Sequence, residues 1–449
     1  MARLLRNVRL YLLLLFFVGC SARMEMAQFP LPHVTSEFED PEYWIGTIDD
    51  PDSVLLTTQA VERFNEDIAS KVYLVNVLWI GETVSGERIR KAMFGDLEHH
   101  RKRTRYGHNN HPLPESFYTE IEDLMDGESI PDEIDVSFAL VTRRTDIRAV
   151  PTSEIGMEKR GDYEFDHFQH SALGSGEPVA VYHQSKDRGW AFVQAAFTHG
   201  WVRSIHIGIA EGKNEIEDYL KPARRVVVIG NGVHVYSDST RMRFLGGLGM
   251  GSAVPLLGET GDGYVVEFPF READGSLSAH EAFIHRAEDV SEGYLPYTRA
   301  NMIRQAFKSL NQPYGWGGMF EAKDCSRYVL DVFATFGIRL PRNSRSQLKV
   351  GQPIATFDAN VPAKGKLELL AQTRPGAIVG FPGHVMIYLG QHRGRHYVIH
   401  NTWAYRKKRW FVEDLKNVGR VVVSDLTLGK GSKKGSLLER LTDIRHIGF

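Results

Sequence analysis

Between about residues 137 and 292 the chain abandons helical spacing, and this limits what its middle can fold into. "VSFALVTRRTDIRAVPTS", "GEPVAVYHQSKDRGWAFVQAAFTHGWVRS", "RRVVVIGNGVHVYSDS" and "SAVPLLGETGDGYVVEFPF" are short alternating apolar runs cut by Gly, Asp and Ser. That is the pattern of half-buried antiparallel strands joined by tight turns. Two small all-β barrels fit, at 137–206 and 224–292, with 207–223 as a linker; Trp190, Phe192 and Trp201 fall where the first would bury aromatics. "VVVIGNGV" offers Gly230 and Gly232 but no third glycine, and it runs on as a strand; "GGLGMGS" lacks the lysine of a phosphate loop. Neither meets the context that nucleotide binding needs, so the first reads as a hairpin turn and the second as a loop between strands.

The flanks have a different texture. Residues 20–50, rich in Pro and acids, read as an extended lead-in. In "SVLLTTQAVERFNEDIA", Leu55, Leu56, Ala60, Val61, Phe64 and Ile68 recur near helical spacing and open a mainly helical block over 51–136. His99, His100, His108 and His111 crowd one stretch of it without acid or thiol partners at ligand spacing, which favours a solvated basic loop over a metal site. After residue 293 helical spacing returns in "YLPYTRANMIRQAFKSLNQPYGWGG", followed by strand-like "GAIVGF", "HVMIYLG", "HYVIHNTW" and "RVVVSDL". A helix-then-sheet order makes this last block α+β. A chain of 449 residues exceeds what one core supports, so a multidomain architecture is expected. Lys plus Arg number 54 against 56 for Asp plus Glu, so no overall field points to nucleic acid.

The first residues carry Arg3, Arg6 and Arg9, an apolar run from Leu10 to Val18, then small residues. This is the layout of a secretory signal peptide over 1–19, and the run is shorter than the roughly 20 residues a membrane span needs. "FVGC" resembles a bacterial lipobox, which makes Cys20 the candidate lipidation site, although Phe17 stands where Leu is usual. The expectation is an exported chain, periplasmic and lipid-anchored to the outer membrane.

The other cysteine, Cys325, lies between an acid and a hydroxyl in "KDCSRYVLDVFATFG". Asp324 can cap a helix whose apolar face uses Val329, Leu330, Val332, Phe333 and Phe336, with Gly337 as its stop. In the first turn of that helix, free backbone N–H groups favour a thiolate. "PGHVMIYLG" places His384 at a strand start and "YVIHNTW" places His400 at the end of the next, so a hairpin could bring base and orienter together. A lone helix cysteine is ordinarily inert core. The joint pattern of thiol and two strand-terminal histidines instead favours a thiol enzyme.

"PYGWGG", "DCSRYVLDVFATFGIRLPRNSRSQ", "RPGAIVGFPGHVMIYLG" and "YVIHNTW" resemble the NlpC-type cell-wall endopeptidases over residues 297–449. These are papain-like cysteine peptidases that cut peptidoglycan stem peptides between γ-D-glutamate and a diamino acid. The two barrels resemble the bacterial SH3-like domains that precede this domain in some members, behind a helical stabilising domain. The resemblance implies a papain-like domain over 293–449 with Cys325 as nucleophile, His384 as base and His400 as third polar member. It places Tyr314 near the oxyanion, Asp324 and Ser326 along the cleft, and Asn343 and Ser344 on the substrate side. It implies a thioester intermediate, no cofactor and no metal. The implied partners are stem peptides or muropeptides, with no nucleic acid and a membrane only through Cys20. Three positions depart from the family: Arg327 replaces the usual Gly, "PGAI" replaces "PGDL", and Asn343 replaces an acid that holds a free substrate amine. An amide lacks the charge that would neutralise an ammonium. Arg327 and Asn343 favour the rival reading, an impaired peptidoglycan-binding scaffold; an amidase or acyltransferase using the same thiol is a third.

Overall fold

The structure is a computed structural model that describes residues 24–358, 361–409 and 412–448. The export-like segment, with Cys20, lies outside them. Among the described residues, three seven-stranded sheets organise the chain, one for each barrel and one for the C-terminal block.

The first barrel begins at Ser137–Val141 and ends later than the sequence suggests. Ile207, Gly208 and Ile209 pair with Val141, Leu140 and Ala139, so the stretch expected as a linker supplies a closing strand and then the helix Lys213–Leu220. The reason is local: Ile207 is buried and continues the alternation. The second barrel runs from Arg225–Val228 to Val290–Glu292. Here "GGLGMGS" is not all loop, because the strand Phe244–Gly249 takes up its first half.

The helical block does not stand alone. Its first helix, Thr58–Lys71, capped by Thr57, buries Val61, Phe64 and Ile68 in the core of the C-terminal block. Its next two, Gly86–Arg101 and Glu115–Met125, bury Met93, Leu97, Tyr118 and Met125 with Phe168, Phe192 and Trp201 of the first barrel. The block expected at 51–136 is therefore shared between two cores. The four histidines are dispersed in role: His100 packs on Phe168 at 5.0 Å, and His108 Nδ1 lies 2.6 Å from Glu154. Among the described residues, no three His, Cys, Asp or Glu side chains form a group able to hold a metal.

The lead-in is likewise more than extended chain. Met24–Met26 pair in parallel with Leu415, Lys416 and Asn417 on the edge of the C-terminal sheet. Short helices Ser36–Glu39 and Pro41–Ile45 follow. Leu31, Phe38 and Trp44 sink into the C-terminal core, and the Trp44 indole donates to Phe38 O at 2.9 Å. Burying such side chains contributes about 1.5–3 kcal/mol each, enough to hold a segment whose prolines and acids suggest otherwise.

In the C-terminal sheet the central strands are His384–His392 and Arg395–Arg409, with Val412–Asp425 beyond them. The helix Cys325–Ala334 lies across these strands and buries Tyr328, Val329, Val332 and Phe333.

Candidate active site

Cys325 opens its helix, with Asp324 as cap: the Asp324 carboxylate accepts the Arg327 N–H at 2.8 Å. Gly337, at φ 77°, follows the helix end. Cys325 is 8% exposed, and the backbone N–H groups of Val385 and Ser326 act on its thiol.

His384 opens its strand after a tight turn. Phe381 pairs with His384 across the two-residue "PG" connection, and Gly383 sits at φ 97°, where only glycine is unstrained. The strand therefore presents His384 and the Val385 N–H side by side. Ile387 pairs with Ile399, so His384 and His400 share a face of the hairpin as diagonal neighbours. His384 Nε2 lies 2.7 Å from His400 Nδ1, and His400 Nε2 lies 3.0 Å from Ser424 Oγ. This chain of contacts leaves His384 Nδ1 without a hydrogen-bond partner among the described residues. Ser424, fully buried, is a fourth member that no sequence motif signalled.

The protonation states differ from the thiolate expected of a helix start. Burial pushes the Cys325 thiol up to about 12, and the Asp324 charge adds to this; the Val385 and Ser326 N–H groups and Arg342 pull only partly the other way. Burial also takes His384 down to about 3, with Arg440 a lesser cause, and holds His400 well below the usual imidazole range. At rest the thiol and both imidazoles are neutral. Desolvation first, and then the Asp324 carboxylate, oppose charge on the thiol and work against the helix terminus.

Asp324 and Ser326 are not free cleft-lining groups. Arg342 grips Asp324 with both terminal nitrogens, at 3.0 and 2.6 Å, and donates to Ser326 Oγ at 3.0 Å. Asp324 also accepts from Gly317 N–H and Ser326 Oγ, which occupies its lone pairs. Burial opposes the charge, but Arg342 holds this carboxyl below its usual range. The pair organises the loop before the thiol, and Arg342 is the residue that sequence reasoning missed. Asn401 assists, donating to Lys323 O at 2.7 Å.

Tyr314 sits at the rim, half-buried; burial first, then the Cys325 and Asp324 charges, keeps its hydroxyl protonated and thus a donor. Asn343 is exposed and spends its Oδ1 on the Ser346 N–H, capping the helix Ser344–Gln347. Ser344 is buried against the same region, with a side-chain hydroxyl that has no hydrogen-bond partner among the described residues.

The first barrel closes one side. Its strand Gln169–Leu173 runs along the "WGG" loop: Gln169 Nε2 donates to Gly317 O at 3.3 Å, and Arg144 donates to Gly318 O. Gly317 and Gly318 are required there. They adopt φ 58° and 88°, and a Cβ would lie 3.0 Å from Gln169 Cγ at the first and 2.9 Å from Ala172 Cβ at the second. Arg327 points at this barrel and not into the cleft; it bonds Asp331 at 2.7 Å and Ala172 O at 3.2 Å. Phe165, also from the barrel, packs between Trp316 at 5.4 Å and Trp403 at 4.9 Å.

Comparison with known proteins fits this geometry. Residues 157–203 match the SH3 domain family of SH3b1 type, and residues 311–418 match the NlpC/P60 family. A probable endopeptidase of Mycobacterium tuberculosis is 30% identical over 96 residues, 20% of this chain and 21% of that one. The chain thus spans about a fifth of that relative's length. An NlpC/P60 endopeptidase structure from Photobacterium damselae subsp. piscicida shares the fold, with a TM-score of 0.73 at 19% identity over 93% of this chain and 96% of the other. The chain carries an NlpC/P60 family domain behind an SH3b1-type barrel, in a multidomain fold of mixed helix and sheet.

Proposed function

We propose that this chain is a cysteine endopeptidase of peptidoglycan stem peptides, cutting the amide between γ-D-glutamate and a diamino acid. The observation that carries the reading is the chain of contacts from His384 through His400 to Ser424, on the strand whose Val385 N–H acts on the Cys325 thiol. A neutral thiol and a neutral imidazole are the resting partners of general-base catalysis. His384 takes the Cys325 proton as sulfur attacks the carbonyl carbon, the C–S bond forms, and negative charge gathers on oxygen, where the Tyr314 hydroxyl is placed to donate. The imidazolium, steadied by His400, protonates the leaving amine as the C–N bond breaks. Water, deprotonated by His384, then hydrolyses the thioester and restores the thiol. Asn343 contributes a capping oxygen and no charge, so a free substrate amine is not required for binding at that position.

The test is digestion of purified stem peptides, with and without a free N-terminal L-Ala, read by mass spectrometry. Wild type cuts both between D-Glu and the diamino acid, and Cys325→Ala cuts neither. Binding to wall sacculi with no cleavage by wild type would replace the enzyme with the scaffold.

We also propose export to the periplasm and anchoring to the outer membrane through Cys20. Metabolic palmitate labelling of the chain, expected in wild type, must disappear in Cys20→Ala; equal labelling of both would reject the anchor.

A further inference from the structure

At the end of the strand Ile378–Phe381 far from His384, a cavity of about 130 Å³ opens between the strand Val54–Leu56, the start of the helix Arg299–Lys308, and residues 446–448. Its wall has two kinds of surface. Leu55, Leu56, Met302 and Ile447 give an apolar side, while Arg299 and His446 give a polar one. Arg299 forms no hydrogen bond or ion pair among the described residues. The His446 Nε2 atom is buried and has no partner among them.

Arg374 stands beside Pro375 of the wall, and its charge acts on both Arg299 and His446, disfavouring their charged forms. Among the described residues, no Asp or Glu lines the cavity. Asp50 is the acid whose charge reaches Arg299, and the two do not form an ion pair. Two nitrogen-bearing groups, Arg299 and His446, thus line the cavity without a carboxylate side chain among the described residues, and the Arg374 charge acts on both. Converging cations repel one another, and partly buried ones keep their charge at a cost unless something negative offsets it. Guanidinium groups match carboxylates through paired N–H donors. An apolar wall opposite such donors selects a ligand with one charged end and one greasy end.

We propose that this cavity is a binding site for a small monocarboxylate with a short apolar body, its carboxylate held by Arg299 and His446 Nε2 and its body laid on Leu55, Leu56, Met302 and Ile447. Inorganic phosphate would meet the same donors but leave the apolar wall uncovered. The site is separate from the thiol cleft, and it stands or falls independently of the peptidase reading.

The experiment is calorimetric titration of the full chain, at low salt and neutral pH, with pentanoate, inorganic phosphate and pentan-1-ol as probes. Pentanoate is expected to bind, phosphate to bind at least about tenfold more weakly, and the alcohol not to bind. Arg299→Gln, at a partly exposed position, is expected to weaken pentanoate about tenfold or more, and Arg374→Gln, at an exposed one, to weaken it less, while both leave the rate of Cys325 alkylation unchanged. The proposal is overturned if pentanoate does not bind, if the alcohol binds as well, if phosphate binds more tightly, or if neither arginine matters. It is also overturned if pentanoate binds only after Phe449 is deleted, because the cavity would then belong to the chain's own end.

Discussion

The two barrels are built alike and meet opposite ends of the same helix, yet they touch it in different ways. The first lays its edge strand against the thiol end. Ser171 Oγ accepts from Arg342 at 2.7 Å, and Ala172 O accepts from Arg327, so buried guanidinium groups satisfy an edge that would otherwise be open. The second meets the far end through shape, and it meets the neighbouring helix Arg299–Lys308 through polar groups. A Cβ on Gly251 would stand 2.5 Å from Ala334 Cβ, Ser309 bonds Asn231 at 2.6 Å, and Lys308 pairs with Asp289 at 2.7 Å with both side chains partly exposed. The same fold thus serves as a wall of the cleft in one copy and as a prop in the other. What separates the roles is whether charge is buried at the contact.

Breaking the thiol-end contact should have the largest effect. Arg342→Ala leaves the buried Asp324 carboxylate without its cation, and a loss of about 3–5 kcal/mol of unfolding free energy is expected in urea denaturation. A loss below about 1 kcal/mol would mean that the first barrel contributes no more than the second. Next comes a paired test of the two ends. Arg327→Ala removes the cation that ties Asp331 to the barrel and should cost about 2 kcal/mol, whereas Lys308→Ala at the second barrel's contact should cost under about 1 kcal/mol. Equal losses would erase the distinction.

The smallest effect sharpens the comparison chemically. With the thiol held protonated beside Asp324, Cys325 alkylation by iodoacetamide should rise about tenfold per pH unit from pH 7 to 9, without a plateau. Lys308→Ala should leave that slope unchanged. A flat profile through neutral pH would reveal a standing thiolate and refute the neutral pair.

Much of the site was legible in the sequence because its signals are local. An acid before a thiol, an apolar helical face, and a Pro-Gly turn ahead of a histidine each act within a few residues, and together they place Cys325 and His384. What could not be read depends on distant partners. Arg342 looks like any solvated arginine until a serine 171 positions earlier is found against it. Ser424 sits in an ordinary strand. Arg327 could face cleft or solvent by sequence, and only the Gln169–Leu173 edge decides its direction. The thiol's surroundings divide in the same way: the helix terminus is visible in the sequence, while the desolvation that opposes a thiolate is a property of the packed site. Nor does composition show that residues 24–71 join the C-terminal core, since that requires contacts across most of the chain.

That last feature governs timing. Glu25 and Lys416, an ion pair, are 391 residues apart, and both barrels lie between them. Closing so long a loop costs entropy that the barrels, with their near-neighbour pairings, do not incur. As the chain emerges, the barrels can fold while the C-terminal sheet still lacks Asp443–His446, the strand that joins Gln352–Thr356 to Ile378–Phe381. The thiol is therefore set in place only after Asp443–His446 has been made, and a chain released before that strand would hold finished barrels beside an unassembled cleft.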